Sequence, residues 1–136
     1  MPATNDSFPW LAHAGNYKFF EDKIDFHFQV SKLENIGQGL YEITLKTGRV
    51  LRVFICECYS FSVAEYQEVV QHLGTVDVII INSIWCGYTT DAKFHCRNKK
   101  IGLFNIRDFM VSLNIPNFWL YLDKSDTERY TKEGLL

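Results

Sequence analysis

Glu57 occupies an unusual setting for a carboxylate. It continues the apolar alternation of Leu51, Val53 and Ile55, and Cys56 and Cys58 flank it. A carboxylate buried without a partner is strongly disfavoured or takes up a proton, so it needs a partner or a task. The other reading is that the strand has left the core by then, leaving Glu57 at the sheet rim beside an arginine. Tyr59 follows on the same face, and Glu57 and Tyr59 form the candidate catalytic pair. Glu57 is also a candidate metal ligand, provided Glu34 or Glu42 lies close enough for Mg²⁺ or Mn²⁺ to bridge the two carboxylates through oxygen.

A second group follows the apolar run ending in Ile81. Asn82, Ser83 and Trp85 stand where a buried strand gives way to a loop, the end at which open α/β sheets place ligands. The bland alternative is a strand-to-helix connection capped by polar residues. Further on, Lys93, Arg97, Lys99, Lys100 and Arg107 give five positive charges, with Tyr88, Phe94 and His95 nearby. Lys93 and Arg97 are four apart and share a helix face. Asn82, Ser83, Lys93 and Arg97 are therefore the candidate ligand-binding residues. Through Lys93, Arg97, Lys99 and Lys100 the stretch is a candidate nucleic-acid grip, or else a solvated helix end.

Other chemistry is excluded by spacing. Cys86, His95 and Cys96 lack zinc-site intervals, and no Gly-rich phosphate loop or nucleophile elbow is present. His72 falls in the last turn of a helix, a favourable place for a cation. Cys56 and Cys58 are badly placed to bridge each other, and residues 1–11 hold no basic residue followed by an apolar run. Four reduced thiols in a cytoplasmic protein is the expectation. With 47% hydrophobic residues in 136, a net charge of −2 and a pI near 6.1, the chain can bury one core and is no general polyanion binder. No apolar run is long enough to span a bilayer, so no membrane partner is expected.

These residues need elements to hold them. Ile24, Phe26, Phe28 and Val30 alternate with polar residues and predict a strand over 24–31, after a short helix around 17–23. Gly37 and Gly39 mark a turn within 35–39. Strands over 40–46 and 49–58 then form a hairpin through Lys46-Thr47-Gly48, a loop suited to Gly48 in the left-handed region. Pairing Leu45 with Arg49 puts Tyr41, Ile43, Leu45, Leu51, Val53 and Ile55 on one face, and sets Glu42 opposite Arg52 on the other.

At Ser62 the period becomes helical. Ser62 and Glu65 form a capping box, Val63, Tyr66, Val69, Val70 and Leu73 recur on one face, and Gly74 ends the helix. A strand over 76–82, a helix from Thr89 or Thr90 to Asn98, a strand over 101–104 and a helix over 106–113 follow. The fold class is thus α/β (α+β): a mixed sheet with an N-terminal three-strand meander, then helix, strand, helix, strand, helix. Residues 1–15 are expected to be irregular, 16–122 to form the domain, and 123–136 to be a polar tail, frayed or helical.

That order, with the segment GYTTDAKFHCRNKKIGLFNIRDFM (87–110), resembles the restriction-endonuclease-like superfamily, whose signature is PD-(D/E)XK, and its Mrr-type domains in particular. The similarity runs from about residue 17 to 113. It implies a core of helix, three-strand meander, helix and strand. It also implies a divalent metal held by a second-strand carboxylate and a third-strand acid-X-Lys triplet. Here the triplet is Glu57-Cys58-Tyr59, with Tyr59 in the lysine's place, and the second-strand acid would be Glu42, which the hairpin register turns toward Arg52. The resemblance thus implies a nuclease or nucleic-acid-associated domain with a degenerate motif. Two alternatives stand beside it. One is a non-catalytic interaction or immunity-type module, with Phe118-Trp119-Leu120-Tyr121 as its apolar anchor, as a dimer contact or as the closure of the core. The other is a metal-free enzyme using Glu57 and Tyr59.

Overall fold

The computed structural model describes residues 7–12, 14–82 and 86–136. Five strands make one mixed sheet in the order β1-β2-β3-β5-β7: β1 (Val30–Gly37), β2 (Leu40–Leu45), β3 (Val50–Cys56), β5 (Val78–Ile81) and β7 (Gly102–Phe104). The first three form an antiparallel meander, and β3, β5 and β7 run parallel. This is an α/β fold. Two short strands, β4 (Ser60–Phe61) and β6 (Gly87–Tyr88), pair in parallel as a separate ribbon.

The helices divide between the two faces. α2 (Val63–Leu73) and α3 (Thr90–Asn98) cover one, where Tyr66, Val69, Ala92 and Cys96 pack on Phe54, Cys56, Ile79 and Ile81. α1 (Ala14–Asp25) and α4 (Ile106–Ser112) cover the other, with Phe20, Ile24 and Phe109 on Ile43, Val53, Val78 and Ile80. Successive residues of β5 thus feed opposite cores, and all four are buried, as a continuous apolar run in a central strand requires. A 3-10 turn (Phe118–Leu120) leads to α5 (Lys124–Lys132), so residues 124–132 are helical. Trp10 and Tyr130 are both buried, so packing extends to either side of 16–122.

The hairpin register is the expected one. Glu42 faces Arg52 and Ile43 faces Leu51, and the Leu45 N–H donates to the Arg49 carbonyl at 2.8 Å. Arg52, however, turns away from Glu42. Its Nη1 donates to the carbonyls of Leu73 (3.2 Å) and Thr75 (2.9 Å), where α2 ends.

The strand expected over 24–31 is a correction. Phe20 and Ile24 are one helical turn apart in α1, both fully buried, and α1 runs to Asp25. Phe26 and Phe28 are 91% and 63% exposed in the loop that follows, so their alternation carries no sheet face. The first strand is β1, six residues later, and it extends through part of the segment read as a turn.

The Ser62 capping box forms as read: the Glu65 carboxylate accepts from the Ser62 N–H at 2.9 Å and from its hydroxyl. Burial works to raise the Glu65 carboxyl, but the Ser62 hydrogen bonds outweigh it and hold the group below its ordinary value. Ser62→Ala is expected to cost about 1 kcal/mol at neutral pH. The loss should fade as acid protonates Glu65, which urea titrations at pH 7 and pH 3 would follow.

Candidate functional site

β3, β5 and β7 are parallel, so their carboxyl ends share one rim of the sheet. After β5 the chain passes to α3 on one face; after β7 it passes to α4 on the other. The diverging connections open a crevice at the carboxyl ends of β5 and β7, the topological switch point at which open α/β sheets bind ligands. A cleft of about 680 Å³ occupies it, bounded by Ile81 at the end of β5 and Asn82 after it, by Asn105–Asp108 after β7, by Tyr88 of β6 and by the first turns of α5.

Three carboxylates meet here. Asn105 caps α4, its Oδ1 accepting from the Asp108 N–H at 2.8 Å, which fixes Asp108 in the first turn. Asp123 caps α5 by accepting from the Asp126 N–H at 2.7 Å. Carboxylate oxygens of Asp108, Asp123 and Asp126 lie within 4.8 Å of one another. Two arginines stand at the rim, Arg107 at long range and Arg129 in a hydrogen-bonded pair. Arg107 approaches Asp123 at 3.7 Å and Asp108 at 3.9 Å, while Arg129 meets Asp126 at 3.1 Å. Asp108 is the most buried of the three, at 4% exposure. Burial pushes its carboxyl up from the usual range, and Asp123 adds to this. The Tyr88 phenol, also raised by burial and then by Asp126, stays protonated at any physiological pH.

Lys93 lies behind this wall. It is 1% exposed, its Nζ donates to the Leu103 carbonyl at 2.5 Å, and it stands 4.1 Å from the Phe104 ring centroid and 5.5 Å from that of Tyr88. Burial pushes its amine down to about 8, against the pull of Asp108 and Asp126. Arg97 is half-buried: its Nη2 donates to the Leu120 carbonyl at 3.1 Å, and its buried Nε has no hydrogen-bond partner among the described residues. Lys93 and Arg97 are four apart on α3, but Lys93 is buried, which corrects the reading of it as part of an outward phosphate grip, whereas Arg97 is half-buried. Lys99, Lys100 and Arg107 are the exposed members of the basic stretch.

The other sequence candidates separate. Glu57 lies just past β3 on the α1 side, where Asn16 Nδ2 donates to its carboxylate and its own N–H donates to the Trp10 carbonyl at 2.8 Å. Tyr59 is 59% exposed. Glu34 and Glu42 face each other across β1 and β2, beside Arg52. Glu57 is five positions farther along β3, about 16 Å away at strand rise, so neither acid can share a metal with it. Asn82 follows β5 on the cleft wall, its N–H bonded to the Cys56 carbonyl at 2.9 Å and its buried Nδ2 without a partner among the described residues. Ser83 and Trp85 lie outside the described residues. The structure thus places Asn82 in a cleft with Asp108, Asp123 and Asp126, none of them singled out in the sequence.

Comparison with protein families, with curated proteins and with solved structures finds no match to this chain. Chemically, three converging carboxyl oxygens offer a hard cation the ligand type it prefers, and the flanking guanidinium groups suit an anion bound beside that cation.

Proposed function

We propose that the switch-point cleft is a Mg²⁺- or Mn²⁺-dependent site for a phosphate-bearing ligand, nucleic acid being the class that the restriction-endonuclease-like resemblance implies. The observation that carries this is Asp108. It is a carboxylate with 4% exposure, its only salt bridge among the described residues spans 3.9 Å, and two further carboxylates converge on it. A divalent cation bound there would offset the mutual repulsion of the three groups and activate a water for attack on a phosphate ester. Arg107 and Arg129, at the cleft rim, would receive the phosphate oxygens. The αβββαβ element order supports kinship with the restriction-endonuclease-like core, while the active residues are moved from the β3 end to the β5–β7 crevice. The free thiols of Cys56, Cys58 and Cys96 fit a reducing, cytoplasmic setting.

Calorimetric titration with Mn²⁺ tests this on the wild type, Asp108→Asn and Glu57→Gln. The wild type should bind, and Glu57→Gln should bind equally well. Asp108→Asn should lose more than about 100-fold in affinity, since even outer-shell partners cost about 10–100-fold. Without cation, Asp108→Asn should raise the melting temperature at pH 7, because it removes a poorly paired buried charge. The gain should disappear in acid, where Asp108 is already protonated. Loss of binding in Glu57→Gln alone would return the site to the end of β3. Absence of Mn²⁺ binding by the wild type would leave the aspartates as helix caps and ion-pair partners, and the proposal would fail.

A further inference from the structure

β1 is an edge of the sheet. Its inner side pairs with β2, and among the described residues its outer side takes a backbone hydrogen bond only at its first residue, where the Val30 N–H donates to the His27 carbonyl at 3.0 Å. Its outer surface is mostly exposed, and Phe28 before it and Ile36 near its end are 63% and 48% exposed. A long open edge with apolar residues at both ends is a template for another strand.

We infer that β1 pairs antiparallel with β1 of a second copy, about a two-fold axis through Leu33. The register follows from two constraints. Opposed residues in an antiparallel ladder must both point their backbone groups toward the partner or both away. A strand paired with itself can therefore centre only on a residue, not between two. Within the regular stretch, bounded by irregularities near Val30/Lys32 and Asn35/Gly37, the centres that leave charges opposed are Lys32, Leu33 and Glu34. Centring on Lys32 sets that residue against its own copy, and centring on Glu34 does the same for the acid. Centring on Leu33 sets Lys32 against Glu34 of the other copy, twice.

Lys32 and Glu34 already lie side by side at 3.7 Å on one face of β1, so the dimer would carry a ladder of four alternating charges. Leu33, half-buried against the α1/α4 core, would meet its symmetry mate and join the two cores. The same axis carries the β1 start of one copy toward the β1 end of the other, bringing Phe28 near Ile36 on both sides. The contact is isologous and closes on itself. Edge contacts are small, so the dimer belongs at the weak end of specific association.

Sedimentation equilibrium of the full chain, with two charge reversals, tests the register. Lys32→Glu and Glu34→Lys each replace two opposed pairs by two repulsive ones, and should each weaken dimerisation about tenfold or more. An equimolar mixture of the two single variants should dimerise as the wild type does, because every opposed pair is again complementary. The double variant should do so too. Both changed positions are exposed, and matching thermal melts would show the folds intact. A wild type that remains monomeric at about 1 mM, or single variants that dimerise as tightly as the wild type, would overturn the inference. So would a mixture that stays monomeric.

Discussion

Gly39→Ala is expected to destabilise the protein by about 4 kcal/mol, several times more than Gly48→Ala. Both glycines sit in turns of the meander with positive φ, +88° and +93°. An L-residue in the left-handed region costs about 1–2 kcal/mol, and that cost applies to both. What separates them is space. A methyl carbon on Gly48 meets nothing within 4 Å, whereas one on Gly39 lands 2.4 Å from the Ile55 carbonyl oxygen.

That oxygen belongs to the buried middle strand and cannot retreat. The Ile55 N–H also donates to the Gly39 carbonyl at 2.8 Å, so displacing the turn breaks this bond as well. Overpacking adds about 1–3 kcal/mol and the lost hydrogen bond about 1. Against a total stability of about 5–15 kcal/mol, the Gly39 variant should show a large drop in urea midpoint, and Gly48→Ala a small one. Equal midpoints would mean that the β1–β2 turn yields freely.

The sequence contains Gly39 as a turn residue, but it does not contain the clash, which needs β3 beside it. The same division runs through the fold. Helix α2 and the β2–β3 register were readable because each depends on a strong local period and on a cap or turn of defined chemistry. β1 was not: Val-Ser-Lys-Leu-Glu-Asn-Ile-Gly has almost no apolar alternation, because an edge strand buries little. The alternation at 24–30 was stronger and still misleading, since Ile24 is buried by helical spacing and Phe26 and Phe28 face solvent.

The candidate site was legible at one residue. Asn82 followed from the rule that ligands gather beyond the carboxyl ends of parallel strands. Asp108, Asp123 and Asp126 did not, because two of them lie in a segment read as a polar tail. A local cue was present in Asp123-x-x-Asp126, the spacing of a capping residue and an acid in the first turn of α5. Their meeting with Asp108 depends on α5 packing at the β7 rim, which no local pattern encodes. The helical spacing of Lys93 and Arg97 was readable, but the burial of Lys93 was not, because charge suggested solvent where tertiary packing put the core.

That inward lysine sets the pH dependence of stability. Lys93→Met keeps the apolar stem against Phe104 and Tyr88 and removes the buried ammonium. At pH 7 the Met variant should be at least as stable as the wild type. From pH 8 to pH 10.5 the wild type should gain on it by about 3 kcal/mol. The folded protein releases the Lys93 proton at about 8, because burial disfavours the ammonium more than Asp108 and Asp126 favour it. The unfolded chain holds it until about 10.4. Between those values the unfolded state binds more protons, so stability rises with pH.

Buried thiols act in the opposite direction: burial raises Cys58 to about 11 and Cys96 to about 12, and their contribution is lost as pH climbs above the ordinary thiol range. The wild-type curve alone therefore mixes the two effects, whereas the difference between wild type and Lys93→Met cancels Cys58 and retains of Cys96 only the part by which Lys93 lowers its thiol. Urea midpoints for both proteins at pH 7, 8, 9 and 10 measure that difference. A difference that stays flat would mean that Lys93 keeps its proton in the fold to pH 10, with the field of Asp108 and Asp126 strong enough to compensate for burial.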